Sequence, residues 1–191
     1  MPQIHRSVVA LLALGMAASG IPSNGEATAV KPGARLPVVT GKDLNGKAWK
    51  APADFPGGRT LVILGYEQEQ QKEIDTWTAA LGLTRRGNQL PWVEMPVIDD
   101  PGVVMRWIID TGMQRGIPDR EIRSHVWTVY TERKAFLESC GIESVDAIHV
   151  LVVTREGEVL AMESGAYTDE AGRRLLAVVD SEKESPRNSA P

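Results

Sequence analysis

The run Thr60-Leu61-Val62-Ile63-Leu64 limits the possible folds more than any other feature of the chain. Its residues are all β-branched or aliphatic, with no alternation between apolar and polar, so the run calls for a central strand covered on both faces. Residues 70–83 follow, with Ile74, Trp77 and Leu81 at helical spacing, charges between them, and Gly82 as a stop. A two-sided strand leading into an amphipathic helix is the start of a layered α/β domain.

The rest of the chain extends that pattern. Residues 36–40 and 47–49 flank a turn-rich stretch containing Asn45-Gly46, which predicts a hairpin ahead of the central strand. A second strand spans 92–98, and Pro96 predicts a strand end or sheet edge at that point. Asp100 can cap a helix with Pro101 at its first position and Val103, Val104, Trp107 and Ile108 on one inward face. Pro118-Asp119 opens a short helical piece, 126–130 forms a strand, and 131–139 forms a helix with Phe136 and Leu137 inward and Gly141 past its end. Residues 148–153 and 159–162 pair across the turn Arg155-Glu156-Gly157. Thr168 caps a last helix whose Ala171, Leu175, Leu176 and Val179 form a buried stripe. Together these elements predict a central mixed β-sheet flanked by helices, with an extra N-terminal β-hairpin.

Ahead of the domain, a basic start ending at Arg6, an apolar run over 7–18 and small, turn-forming residues through Gly25 have the order of a secretory signal. The run is about 12 residues long, short of the roughly 20 that cross a bilayer, so no transmembrane anchor is expected after cleavage. Ala18 and Gly20 are placed for a cut after Gly20, and no nearby cysteine can accept a lipid. The chain therefore divides into an export signal (1–20), a linker (21–35), a folded domain (36–179) and a disordered tail (180–191). About 170 residues remain after cleavage, the size of one domain. A formal net charge of −4 gives no electrostatic reason to expect nucleic acid as a partner. Cys140 is the only cysteine, so no internal disulfide can form and packing must hold the fold.

The order of these pieces resembles the thioredoxin superfamily, in particular its peroxiredoxin-like branch, which begins with an extra hairpin. Leu36-Pro37 and Asp43-Leu44-Asn45-Gly46-Lys47 precede the first core strand, and Leu61-Val62-Ile63-Leu64 leads into a helix. Val150-Leu151-Val152-Val153-Thr154-Arg155-Glu156-Gly157 supplies strand and turn, and Gly165 precedes Thr168-Asp169-Glu170. A narrower similarity, through residues 70–77, 110–117 and Gly165-Ala166-Tyr167-Thr168, is to exported bacterial thioredoxin-like proteins. It extends, more distantly, to a mitochondrial ATP-synthase assembly-factor family. The resemblance implies a thiol site in the turn after the first core strand, where a helix N-terminus lowers a cysteine's pKa. Here that turn reads Tyr66-Glu67-Gln68-Glu69-Gln70-Gln71-Lys72 and holds no thiol. The cis-proline that the resemblance implies would fall near Ile148, and Val145-Asp146-Ala147-Ile148 has none.

Candidate chemistry elsewhere is sparse. Cys140 reads as a small apolar filler at a helix end, the alternative being a lone reactive thiol. His125 and His149 lack metal-ligand spacing and read as surface or capping residues. Glu67, Glu69, Glu73 and Asp75 suit the first turns of a helix, and Asp99-Asp100 suits a cap. Arg106, Arg115, Arg120 and Arg123 read as a solvated helical face, with an anion or partner site as the alternative. Trp77 and Trp107 fall on core stripes, while Trp49, Trp92 and Trp127 are unassigned, one of them a candidate exposed anchor. No Gly-x-Ser-x-Gly, P-loop or Gly-x-Gly-x-x-Gly motif is present. The resulting expectation is an exported, non-catalytic, redox-inactive binding or assembly protein of the cell envelope, periplasmic in a Gram-negative cell. Its contact residues would be Glu67, Gln68, Gln70, Gln71, Arg106, Arg115 and Asp146, its partner another envelope protein, and it would need no cofactor or metal. The alternative is a one-cysteine thiol oxidoreductase or peroxidase acting through Cys140.

Overall fold

A computed structural model describes residues 30–181, so the expected export signal and nearly all of the expected tail lie outside the described residues. Strands β1 (Val39–Lys42) and β2 (Ala48–Ala51) form the predicted hairpin as a separate two-stranded antiparallel sheet. Its turn is fixed by Asp43, whose Oδ1 accepts the amides of Asn45 (2.8 Å) and Lys47 (2.9 Å). The main sheet contains β3 (Arg59–Gly65), β4 (Trp92–Asp99), β5 (Val129–Thr131), β6 (His149–Thr154) and β7 (Val159–Ser164), in the order β5-β4-β3-β6-β7. β3 runs parallel to β4 and antiparallel to β6, which makes the sheet mixed.

The two-sided character of β3 is as the sequence requires. Leu61 and Ile63 pack into one hydrophobic cluster with Ile74, Trp77, Trp92, Ile148 and Leu175. Val62 and Leu64 pack on the opposite side with Trp49, Phe55, Met95, Trp127 and Phe136. Helix α1 (Gln71–Ala80) and helix α5 (Asp169–Asp180) supply the first layer, and α4 (Arg133–Cys140) supplies part of the second. Thr168 caps α5 as expected, its Oγ1 accepting the Ala171 amide at 3.1 Å. Ala171, Leu175 and Val179 are buried and Leu176 is half-buried. α5 is also clamped to β7 by the two-pronged Arg174–Glu163 pair (2.6 and 2.9 Å), in which Glu163 is buried. Gly141 ends α4 at φ +76°, a conformation that a side chain would strain. Packing starts ahead of Leu36, since Ala34 is buried and Arg35 bridges to Glu158.

Two expectations need correction. β4 is an inner strand and does not end at Pro96. Pro96 is the last residue paired with β3, opposite Gly65, and pairing with β5 begins at Val97. The missing N–H thus falls between the bridge of Glu94 to Val126 and the start of the β5 pairing at Val97. The second correction concerns α2 (Val103–Gly116), which Gly102 rather than Asp100 precedes directly. Its buried side is Ile109 and Met113, packed with Ile117, Leu44 and Val126, whereas Val103, Val104, Trp107 and Ile108 face outward. Short helix α3 (Arg120–Ser124) follows with Asp119 as its cap.

Candidate functional site

The chain leaves the sheet at the C-terminal end of β3 and enters the turn in which the resemblance implies a thiol pair. Gln70 closes this turn. Its Oε1 accepts the amides of Tyr66 (2.9 Å) and Glu67 (3.2 Å), and its Nε2 donates to the Val145 carbonyl at 2.6 Å. Gln70 is thus a buried amide with donor and acceptor both engaged inside the molecule, and it acts as a structural clasp. The clasp brings the turn against the segment holding Asp146, which is exposed and accepts from Ser144 Oγ at 2.7 Å. Glu67 points outward and pairs with Arg133 (3.1 Å), which also reaches Asp99 (3.2 Å). Gln71 bonds to Asp75 at 3.1 Å, and Glu73 accepts the Ile148 amide at 3.2 Å, tying α1 to the start of β6.

A cleft opens beside the turn, lined by Tyr66, Glu67, Gln68 and Gln71, by Ile74 of α1, by Glu94, Pro96 and Ile98 of β4, and by Met113 of α2. Its cavity volume is about 30 Å³. Arg106 and Arg115 do not line it. Arg106 is held to Asp100 (2.5 Å) and lies over the Tyr130 ring at 5.0 Å, while Arg115 is exposed near the end of α2.

The residue that sequence reasoning missed is Glu94. It lies on the same side of β4 as Trp92 and Ile98, at the seam between the clusters behind α1 and α2, and is only 7% exposed. No group among the described residues donates a hydrogen bond to its carboxyl. Burial, reinforced by the negative charge of Asp75, raises its pKa to about 7. A charged residue between Val93 and Met95 was the available signal, because it breaks an otherwise apolar inner strand.

Cys140 is fully buried at the end of α4, and burial pushes its thiol up to about 12, so thiolate is scarce at neutral pH. His149 is not a surface residue. It is buried in β6, its Nδ1 shares a 3.0 Å hydrogen bond with Tyr66 Oη, and burial lowers its pKa to about 4. His125 is half-buried, stacked on Trp92 at 4.5 Å, with Nδ1 2.9 Å from the Trp92 carbonyl, so that nitrogen carries the proton. Among the described residues no three His, Cys, Asp or Glu side chains are grouped to hold a metal. Trp49, Trp92 and Trp127 are all buried, Trp49 stacking on Trp127 at 5.1 Å, so none is the exposed anchor. Trp107, expected in the core, is the exposed tryptophan. The peptide before Ile148 is trans, the cis bond among the described residues preceding Pro52.

The fold is thioredoxin-like. It matches the C-terminal domain of a protein from Bacteroides thetaiotaomicron assigned as a thiol-disulfide oxidoreductase, with TM-score 0.51 and 11% identity over 78% of this chain and 96% of that one. It also matches a protein from Aquifex aeolicus assigned to electron transfer, with TM-score 0.52 and 12% identity over 82% and 98% of the two chains. No family model matches the sequence, and no curated protein does.

Proposed function

We propose that this is a non-catalytic binding or assembly protein of the cell envelope, exported by its N-terminal signal. It would hold another envelope protein against the C-terminal end of β3, where the resemblance implies a thiol site. One observation carries this reading: the turn after β3 is closed by amide hydrogen bonds and has no sulfur, while Cys140 lies in the core with its thiol pKa pushed up by burial. The exposed apolar start of α2 supports it. Val103 (83% exposed), Val104, Trp107 (68%) and Ile108 follow the C-terminal end of β4, the strand whose Glu94, Pro96 and Ile98 line the cleft. Apolar side chains concentrated on one helix face beside a cleft fit a protein partner. Among the described residues no helix is long and apolar enough to cross a membrane.

Two measurements test the reading. The purified protein is expected to show neither insulin-type disulfide reduction nor peroxide reduction, and robust thiol-dependent turnover would overturn it. Crosslinking in the native envelope followed by co-purification is expected to yield a defined protein partner through residues near Glu67 and Trp107.

A further inference from the structure

We propose that the cleft at Glu94 is a receptor for a lysine side chain of the bound protein, an assignment that rests on the binding role above. Three features of the cleft select that chemistry. Its lining includes a carboxyl group that is nine-tenths buried and receives no hydrogen bond from any described residue. Water reaches such a group only through the cleft, and a donor brought by a ligand would supply the hydrogen bond that the chain does not. The walls beyond it are Ile74, Pro96, Ile98 and Met113, an apolar sleeve suited to the methylene stem of an amphipathic side chain. The cavity volume of about 30 Å³ is enough for an ammonium or a water molecule.

The electrostatics of the mouth agree. Glu67 lines the entrance, and Asp75 of α1 lies close enough to Glu94 to act on its charge. Arg133 sits outside the lining and is taken up by Glu67 and Asp99. Glu67 is offset by its pairing with Arg133, so the negative charge felt at the carboxyl comes from Asp75, and it favours a cation over an anion. Glu94 is therefore ready for charge-assisted pairing with a group that the molecule does not supply.

The probe is n-butylammonium, which carries the lysine head and stem, with n-butanol as its uncharged control. Titration followed by amide chemical shifts at pH 8 should give saturable changes confined to the amides of Gly65, Tyr66, Glu67 and Gln71 and those around Glu94. Butanol should bind at least about tenfold more weakly, and Glu94→Gln should weaken butylammonium by a similar factor. Glu94→Asp keeps the charge on a shorter stem and should fall between the two, which separates loss of charge from a disturbed fold. Absence of saturation, equal response to butanol, or full binding by Glu94→Gln would each overturn the assignment. Envelope crosslinking distinguishes this failure from failure of the parent reading. Equal capture of a partner by wild type and Glu94→Gln sinks the lysine receptor and leaves the binding role intact. Butylammonium binding without any captured partner keeps the cation site and sinks the binding role.

Discussion

Helices α1 and α2 border the same cleft, one through Ile74 and the other through Met113, yet they treat their tryptophans in opposite ways. Trp77 of α1 is fully buried, donates from Nε1 to the Gly165 carbonyl at 2.9 Å and meets the Tyr167 ring edge-on at 5.1 Å. Trp107 of α2 is 68% exposed. The difference lies in how apolar residues are spread. In α1 they occupy one stripe separated by charges, so only one rotation buries them. The first half of α2 is apolar almost all round, and whichever way it turns some of that surface must face out. Polar anchors fix the rotation: Arg106 is held by Asp100, and Tyr130 Oη donates to Asp110 at 2.8 Å.

The largest expected effect tests the α1 side. Trp77→Ala should cost about 3–5 kcal/mol in denaturant unfolding, since a large filled volume and a buried hydrogen bond both go. A loss below about 1 kcal/mol would mean that α1 is no more anchored to the core than α2.

Glu94, in the cleft between the two helices, comes next. Its carboxyl is raised from 4.5 to about 7, so across that window the folded protein keeps a proton that the unfolded chain has released. Stability attributable to Glu94 therefore falls as pH rises from 4.5 to about 7, by about 3 kcal/mol at about 1.36 kcal/mol per unit. His149 acts in the opposite sense. Lowered from 6.5 to about 4, it must gain a proton on unfolding, and its contribution is lost as pH falls through that range. The two slopes oppose each other over much of the same interval. Glu94→Gln should uncover the His149 slope, so that its stability relative to wild type rises between pH 5 and pH 8. An unchanged difference across that range would show that Glu94 is not held neutral by its surroundings.

Tyr66→Phe should have a smaller effect, about 1–2 kcal/mol, because it deletes the hydroxyl that pairs with the buried Nδ1 of His149. The contrast with Glu94 is the point of this variant. One buried titratable group next to β3 has its partner inside the molecule and the other has none, so Tyr66→Phe should leave the Glu94 part of the pH dependence of stability in place.

Legibility in the sequence followed the same division. The β3 run, the α5 cap at Thr168 and the turn before β7 are local signals with a single physical solution, and each was readable. Gln70 was not, because its partner Val145 lies far along the chain and a polar residue in a turn reads as surface. The rotation of α2 was hidden because its two possible stripes are about equally apolar, and the choice rests on Leu44, Val126 and Tyr130 from elsewhere. Glu94 was visible as a letter but not as a site. Only the placement of α1 and α2 over β4 turns a strand carboxylate into a buried group without a partner, a conflict between local and global preference that marks functional positions.

The smallest stability effect carries the most information about α2. Trp107→Ala removes a side chain that touches little of its own molecule, so unfolding should shift by no more than about 0.5 kcal/mol. Partner capture in the envelope should nonetheless drop by an order of magnitude or more, because an exposed tryptophan beside a cleft is the kind of residue that dominates an interface. Together with Trp77→Ala this separates the two helices cleanly: the same substitution should cost stability in α1 and binding in α2. A Trp107→Ala protein that loses several kcal/mol would show that this face is covered by the chain itself, and the outward half of α2 would then belong to the core after all.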